Sequence, residues 1–178
     1  MKKPLKDRLH HAVDDWSQHI EAYARTGFWG VNGGAGGILL ARQTGRLLLA
    51  QRSHRVLQPG TWGTIGGALD QGENPAMAVV REVEEEIGFR VQHEDLHLCY
   101  VFRDQRSGFT YYNYSVLIDE EQQPTPNWEV SNHAWIEFGA WPDPLHFGMR
   151  AWLQDRQGVE TLQALVQHVI EQTKTNLK

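Results

Sequence analysis

A single cysteine, Cys99, stands among 178 residues. One thiol excludes any intrachain disulfide framework, and in an apolar, strand-like context it reads as a small buried residue rather than a nucleophile. No apolar run approaches the ~20 residues that cross a bilayer. The opening MKKPLKDRLHH lacks the apolar h-region of a secretory signal. A cytoplasmic location with no membrane partner is therefore the default expectation. Positive charge is also short: 17 Lys and Arg against 22 Asp and Glu leave a formal net charge of −5. That balance gives no support to a nucleic-acid polymer as partner. There is no repeat, linker or second charge regime. With 40% hydrophobic residues, the length suits one domain, 1–178, with a real core.

The chain is organised around residues 67–89, GALDQGENPAMAVVREVEEEIGF. Asn74 is a natural N-cap and Pro75 suits the first helical position, where no N–H bond is needed. Ala76 to Val80 propagate a helix, and Gly88 takes the left-handed geometry that ends one. The spacing predicts a helix over 75–87. On it Glu82, Glu85 and Glu86 fall at i, i+3 and i+4, so their carboxylates share one face. Such crowding has two readings. One is a solvated acidic face; the other is a site for a hard divalent cation, for which oxygen ligands are preferred.

The whole frame resembles the signature of the Nudix hydrolases: Gly67, Glu73, then Arg81, Glu82, Val83, Glu85, Glu86, Gly88 and Phe89 at fixed spacing. The resemblance implies a loop–helix–loop that holds Mg²⁺, with Mn²⁺ as the alternative, against a pyrophosphate. By it Glu82, Glu85 and Glu86 are metal ligands, joined by the backbone carbonyl of Gly67. Arg81 and Glu73 brace loop and helix, and Gly88 turns the chain back. Glu82 and Glu85, with Arg81 beside them, form the catalytic group within the motif. A further glutamate before a Trp-containing strand is expected at the metal; Glu129 is the first candidate and Glu121 the second. The implied fold is an α/β/α sandwich with a mixed central sheet, to which this chain adds an N-terminal helix. The implied substrate is a small molecule, a nucleoside diphosphate linked to another moiety X. A non-catalytic nucleotide sensor on the same fold stays open. So does an isomerase of the isopentenyl diphosphate type, which expects a catalytic cysteine and a divergent signature.

Around the signature, Leu5, Leu9, Val13, Trp16, Ile20 and Tyr23 recur every three or four positions, an amphipathic helix within an extension over 1–30. Packing on the domain and a homodimer contact both remain open for it. His10, His11 and His19 on this segment read as surface residues. The string GGAGG over 33–37 lacks the Lys-Ser/Thr ending of a P-loop and reads as a flexible approach to the first strand. Strands are expected over 38–41 and 47–51 around a Thr44-Gly45 turn, then over 96–103, 109–118 and 134–138. Ile65 stands where many relatives carry a proline. Arg52 and Arg55 follow the second strand and suit phosphate oxygens. Tyr111, on the face of its strand opposite Tyr112 and Tyr114, offers an aromatic surface to a flat group. An amphipathic helix over 159–173 closes the chain.

Overall fold

A computed structural model of the chain describes residues 33–176. The expected N-terminal helix and the histidines on it lie outside the described residues. The elements run β1 (Gly34–Ala41), β2 (Leu47–Arg52), β3 (Trp62–Gly63), β4 (Ile65–Ala68), α1 (Pro75–Ile87), β5 (Leu96–Arg103), β6 (Thr110–Ile118), β7 (Val130–Ile136), α2 (Phe147–Gln154) and α3 (Arg156–Asn176). A short 3-10 turn, His93–Asp95, precedes β5.

All seven strands join one mixed sheet. β1 is central: it pairs parallel with β6 along its whole length, and antiparallel with β4 and β2 on its other edge. β2 adds β7 and β3, and β5 closes the far side against β6. Alternate residues of the central strands feed two cores. Leu39, Ala41 and Leu48 face α1, packing with Val79, Val83 and Ile87. Ile38, Leu40, Leu47 and Leu49 face α2 and α3, packing with Met149, Trp152, Leu162 and Val166. This is the expected α/β/α sandwich.

The Thr44-Gly45 turn is present, closed by the Ala41 N–H donating to Arg46 O at 3.0 Å and by Gly45 at positive φ. α1 begins and ends where its caps dictate. The Asn74 side chain accepts from the Ala76 N–H at 2.9 Å, and Gly88 adopts φ 76° while its N–H donates to Glu84 O. Asn74→Ala is expected to cost about 1 kcal/mol, read as a fall in the urea midpoint at unchanged m-value.

Some boundaries differ from expectation. The glycine string is not a loop: Gly34, Gly36 and Gly37 belong to β1 and are paired on both edges. The strand of 134–138 starts earlier, at Val130, because β2 continues to offer it partners as far as Arg52. α2 is not expected from the sequence, and it lacks the usual start signal. Its N-cap is His146, whose Nδ1 accepts from Gly148 N–H at 3.2 Å, in place of the usual Ser, Thr, Asp or Asn. α3 also begins earlier than expected, since the Asp155 carboxylate accepts the Gly158 N–H at 2.7 Å and so caps it.

Candidate active site

The two glycines of β4 place the signature helix against the sheet. A Cβ added at Gly67 would overlap the Glu82 carboxylate, so Glu82 rests directly on that backbone. One residue earlier, the Gly66 N–H donates to Glu86 Oε1 at 3.0 Å. Neither contact leaves room for a side chain on the strand.

Arg81 is the brace. Its Nε and one Nη donate to the two Glu73 oxygens, each at 3.0 Å, and the same Nη donates to Ala68 O at 3.2 Å. The other Nη meets Glu82 Oε1 at 2.7 Å and Glu85 Oε2 at 3.4 Å. Glu73 is held in turn by the Asp70 N–H at 2.9 Å. Loop and helix are thus tied through one guanidinium whose planar fork suits a bidentate partner. The hydrogen bond from Arg81 holds Glu73 below the usual carboxylate range.

The carboxylates toward the sheet are different. Glu82 is 9% exposed and Glu86 7%. Burial pushes the Glu82 pKa up, opposed by Arg81 and assisted by the charges of Glu85 and Glu129. Burial, then the Glu82 charge, pushes Glu86 up to about 8, against the Gly66 N–H, which favours its anion. Glu85 stands at the open side, its side chain 57% exposed.

Glu129 reaches the same place from β7's approach: its charge raises the pKa of both Glu82 and Glu86. A strap holds it there. Thr125 N–H donates to Ile87 O at 2.9 Å and Asn127 N–H to Glu86 O at 2.8 Å, satisfying two carbonyls at the end of α1. Asn127 Oδ1 then accepts the Glu129 N–H, and Glu129 O accepts from Ser53 N–H at 2.7 Å. Asn127 was not singled out from the sequence, although an Asn just after Pro126 is an Asx-turn signal.

A profile of the NUDIX domain matches residues 32–155. The chain belongs to the Nudix family. A Bifidobacterium longum protein named as a nucleoside triphosphate pyrophosphatase/Nudix hydrolase fusion is 32% identical over 114 residues, 61% of this chain but 22% of that protein's length. Among solved structures, a Nudix hydrolase from M. smegmatis aligns with TM-score 0.53 and 28% identity over 83% of this chain and 89% of the other. A MutT Nudix hydrolase from Burkholderia pseudomallei aligns with TM-score 0.53 and 26% identity, over 72% and 95%.

Within this Nudix domain the other candidates separate. Arg52 lies close enough for its charge to act on Glu86 and Tyr111, and its Nε donates to Leu57 O at 2.6 Å. Arg55 is exposed on the following loop, where its N–H meets Ser53 Oγ. No contact among the described residues ties it to the carboxylates. Glu121 is engaged elsewhere, paired with Arg46 at 3.0 Å. The phenol end of Tyr111 is enclosed by Gly36, Gly66 and Thr64, while the ring stacks beside Phe109 at 6.4 Å. Cys99 is buried, and its thiol is pushed up to about 11, as expected of a core residue.

Among the described residues no three His, Cys, Asp or Glu side chains converge on one point able to hold a metal ion. Glu82 is turned to Arg81 and Glu86 to the Gly66 N–H. The donor set nevertheless fits a hard cation. It consists of carboxylate oxygens, two of them disfavoured as anions by burial first and then by neighbouring carboxylates, and a divalent ion is the neutralising partner such oxygens take.

Proposed function

We propose that the protein is a divalent-metal-dependent hydrolase that cleaves the pyrophosphate linkage of a nucleoside diphosphate joined to another moiety. The observation that carries this is the buried Glu82 and Glu86 pair, with Glu85 and Glu129 adjacent. Arg81 divides its donors between Glu73 and the pair Glu82 and Glu85.

In this reading Glu82, Glu85 and Glu86 hold Mg²⁺ or Mn²⁺, with the Gly67 carbonyl and Glu129 completing the donor set. The cation supplies charge neutralisation for phosphate oxygens and a water of lowered pKa. Glu85, on the open side, and Glu82, fixed by Arg81, are the groups placed to accept the proton of the attacking water. Arg52, near enough for its charge to act on Glu86, holds a phosphate oxygen. Arg81 keeps helix and loop in register and does not touch the substrate.

The test is phosphate release from triphosphates (oxidised bases included), ADP-ribose, nucleotide sugars and dinucleoside polyphosphates, in Mg²⁺, Mn²⁺ or EDTA. Metal-dependent cleavage of one class supports the proposal and names the substrate. A folded, metal-binding protein that cleaves none of them contradicts it and favours the sensor.

A further inference from the structure

The glycine string of β1 has no part in the reading above, yet it meets the site through Tyr111. Gly34 and Gly36 lie on one face of β1, two residues apart, and Gly34 is in register with Tyr111 on β6. A Cβ at Gly34 would stand 2.6 and 2.8 Å from two ring carbons of Tyr111. A Cβ at Gly36 would overlap the Tyr111 hydroxyl, and one at Gly66 would lie 2.9 Å from it. The three glycines therefore form a slot that the phenol fills. At its end the hydroxyl meets Thr64, with which it shares a hydrogen bond. Immediately beyond is the Gly66 peptide, whose N–H holds Glu86 Oε1 at 3.0 Å.

We propose that Tyr111 is a positioning residue: its hydroxyl, paired with Thr64 against the Gly66 peptide, fixes the N–H that aims the Glu86 carboxylate toward a divalent cation. Three features support this. The slot is specific in shape, because alanine at any of its three glycines collides with the phenol or with backbone. The hydroxyl lies near the carboxylates, since the charges of Glu86 and Glu82 both act on it. And the Gly66 peptide is the one main-chain donor to Glu86 among the hydrogen bonds of the described residues. Groups that orient a ligand from behind typically change metal affinity by 10–100-fold when removed, roughly. This rests on the metal-dependent reading of the site.

The experiment is Mn²⁺ affinity, from the electron paramagnetic resonance signal of free Mn²⁺, for wild type, Tyr111→Phe, Thr64→Val and Thr64→Ser. Tyr111→Phe keeps the ring in the slot and removes the hydroxyl alone. Tyr111→Phe and Thr64→Val are expected to bind Mn²⁺ about tenfold more weakly, with Thr64→Ser close to wild type. Leu162→Ala, fully buried on the far side of the sheet, serves as the destabilised control and is expected to keep its Mn²⁺ affinity. Affinity within about twofold of wild type in Tyr111→Phe overturns the proposal. So does an equal loss in Leu162→Ala. Because the readout is metal binding rather than turnover, a wild type that binds Mn²⁺ but cleaves no nucleotide sinks the hydrolase reading while leaving this comparison decisive.

Discussion

Replacing Glu85 with glutamine is expected to slow metal-dependent turnover by ~10²–10⁴-fold, the range for losing a positioned proton acceptor, while Tm stays where it is. Stability is spared because the Glu85 side chain is 57% exposed and its one ion pair, with Arg81, is long at 3.4 Å. Exposed pairs of that kind contribute at most about 1 kcal/mol. Glu82→Gln is expected to cost turnover on the same scale, with more structural consequence. Its carboxylate is buried on Gly67 and bonded to Arg81 at 2.7 Å, so the amide keeps an acceptor oxygen but loses the charge that guanidinium faces. Steady-state kinetics beside thermal melts separate the two effects. A Glu85→Gln protein with wild-type turnover in Mg²⁺ would remove that residue from the reaction.

Trp152→Ala is expected to destabilise the fold by ~3–5 kcal/mol, the range for truncating a buried aromatic. The indole is fully buried between α2, α3 and the sheet. α3 lies against it at Gly158, where an added Cβ would stand 3.0 Å from the ring. The indole N–H has no partner among the described residues, so Trp152→Phe loses volume without losing a hydrogen bond and is expected to cost less. Urea denaturation measures both. A loss below ~1 kcal/mol for the alanine variant would mean that this layer packs otherwise.

How far the sequence spoke depended on whether a feature's cause was local. α1 was legible to the residue because Asn74, Pro75 and Gly88 are caps that act on their own neighbours. The grouping of Glu82, Glu85 and Glu86 followed from helical period alone, and the family frame pointed to Glu129. The glycine string was misread because its cause lies 77 residues away: Gly34 pairs with Tyr111, and only a strand without side chains admits that phenol. The surroundings of the Tyr111 phenol were not legible for the same reason, since alternation gives a face but not what covers it. The sequence ranked Glu129 ahead of Glu121 only by the family frame; what separates them physically is non-local, since Arg46 pairs with Glu121 while Asn127 holds the Glu129 N–H. α2, at eight residues, is too short for periodicity to declare and begins on a histidine cap.

On the proposed function, a divalent cation completes a site of crowded, buried carboxylates. Glu86 sets the sign. Its pKa rises from 4.5 to about 8 on folding, so the native protein binds the proton more tightly than the unfolded chain. That contribution to stability is fully present below pH 4.5 and is lost as pH rises through about 8. The decisive measurement is Tm against pH from 6 to 9, with Mg²⁺ and with EDTA, for wild type and Glu86→Gln. In EDTA the wild type should lose stability toward alkaline pH. Mg²⁺ should restore it by binding the folded state alone, about 2.7 kcal/mol at a hundredfold excess over Kd. Glu86→Gln should be the more stable protein in EDTA at high pH and should gain little from Mg²⁺. A wild-type Tm indifferent to Mg²⁺ across that range would contradict the account.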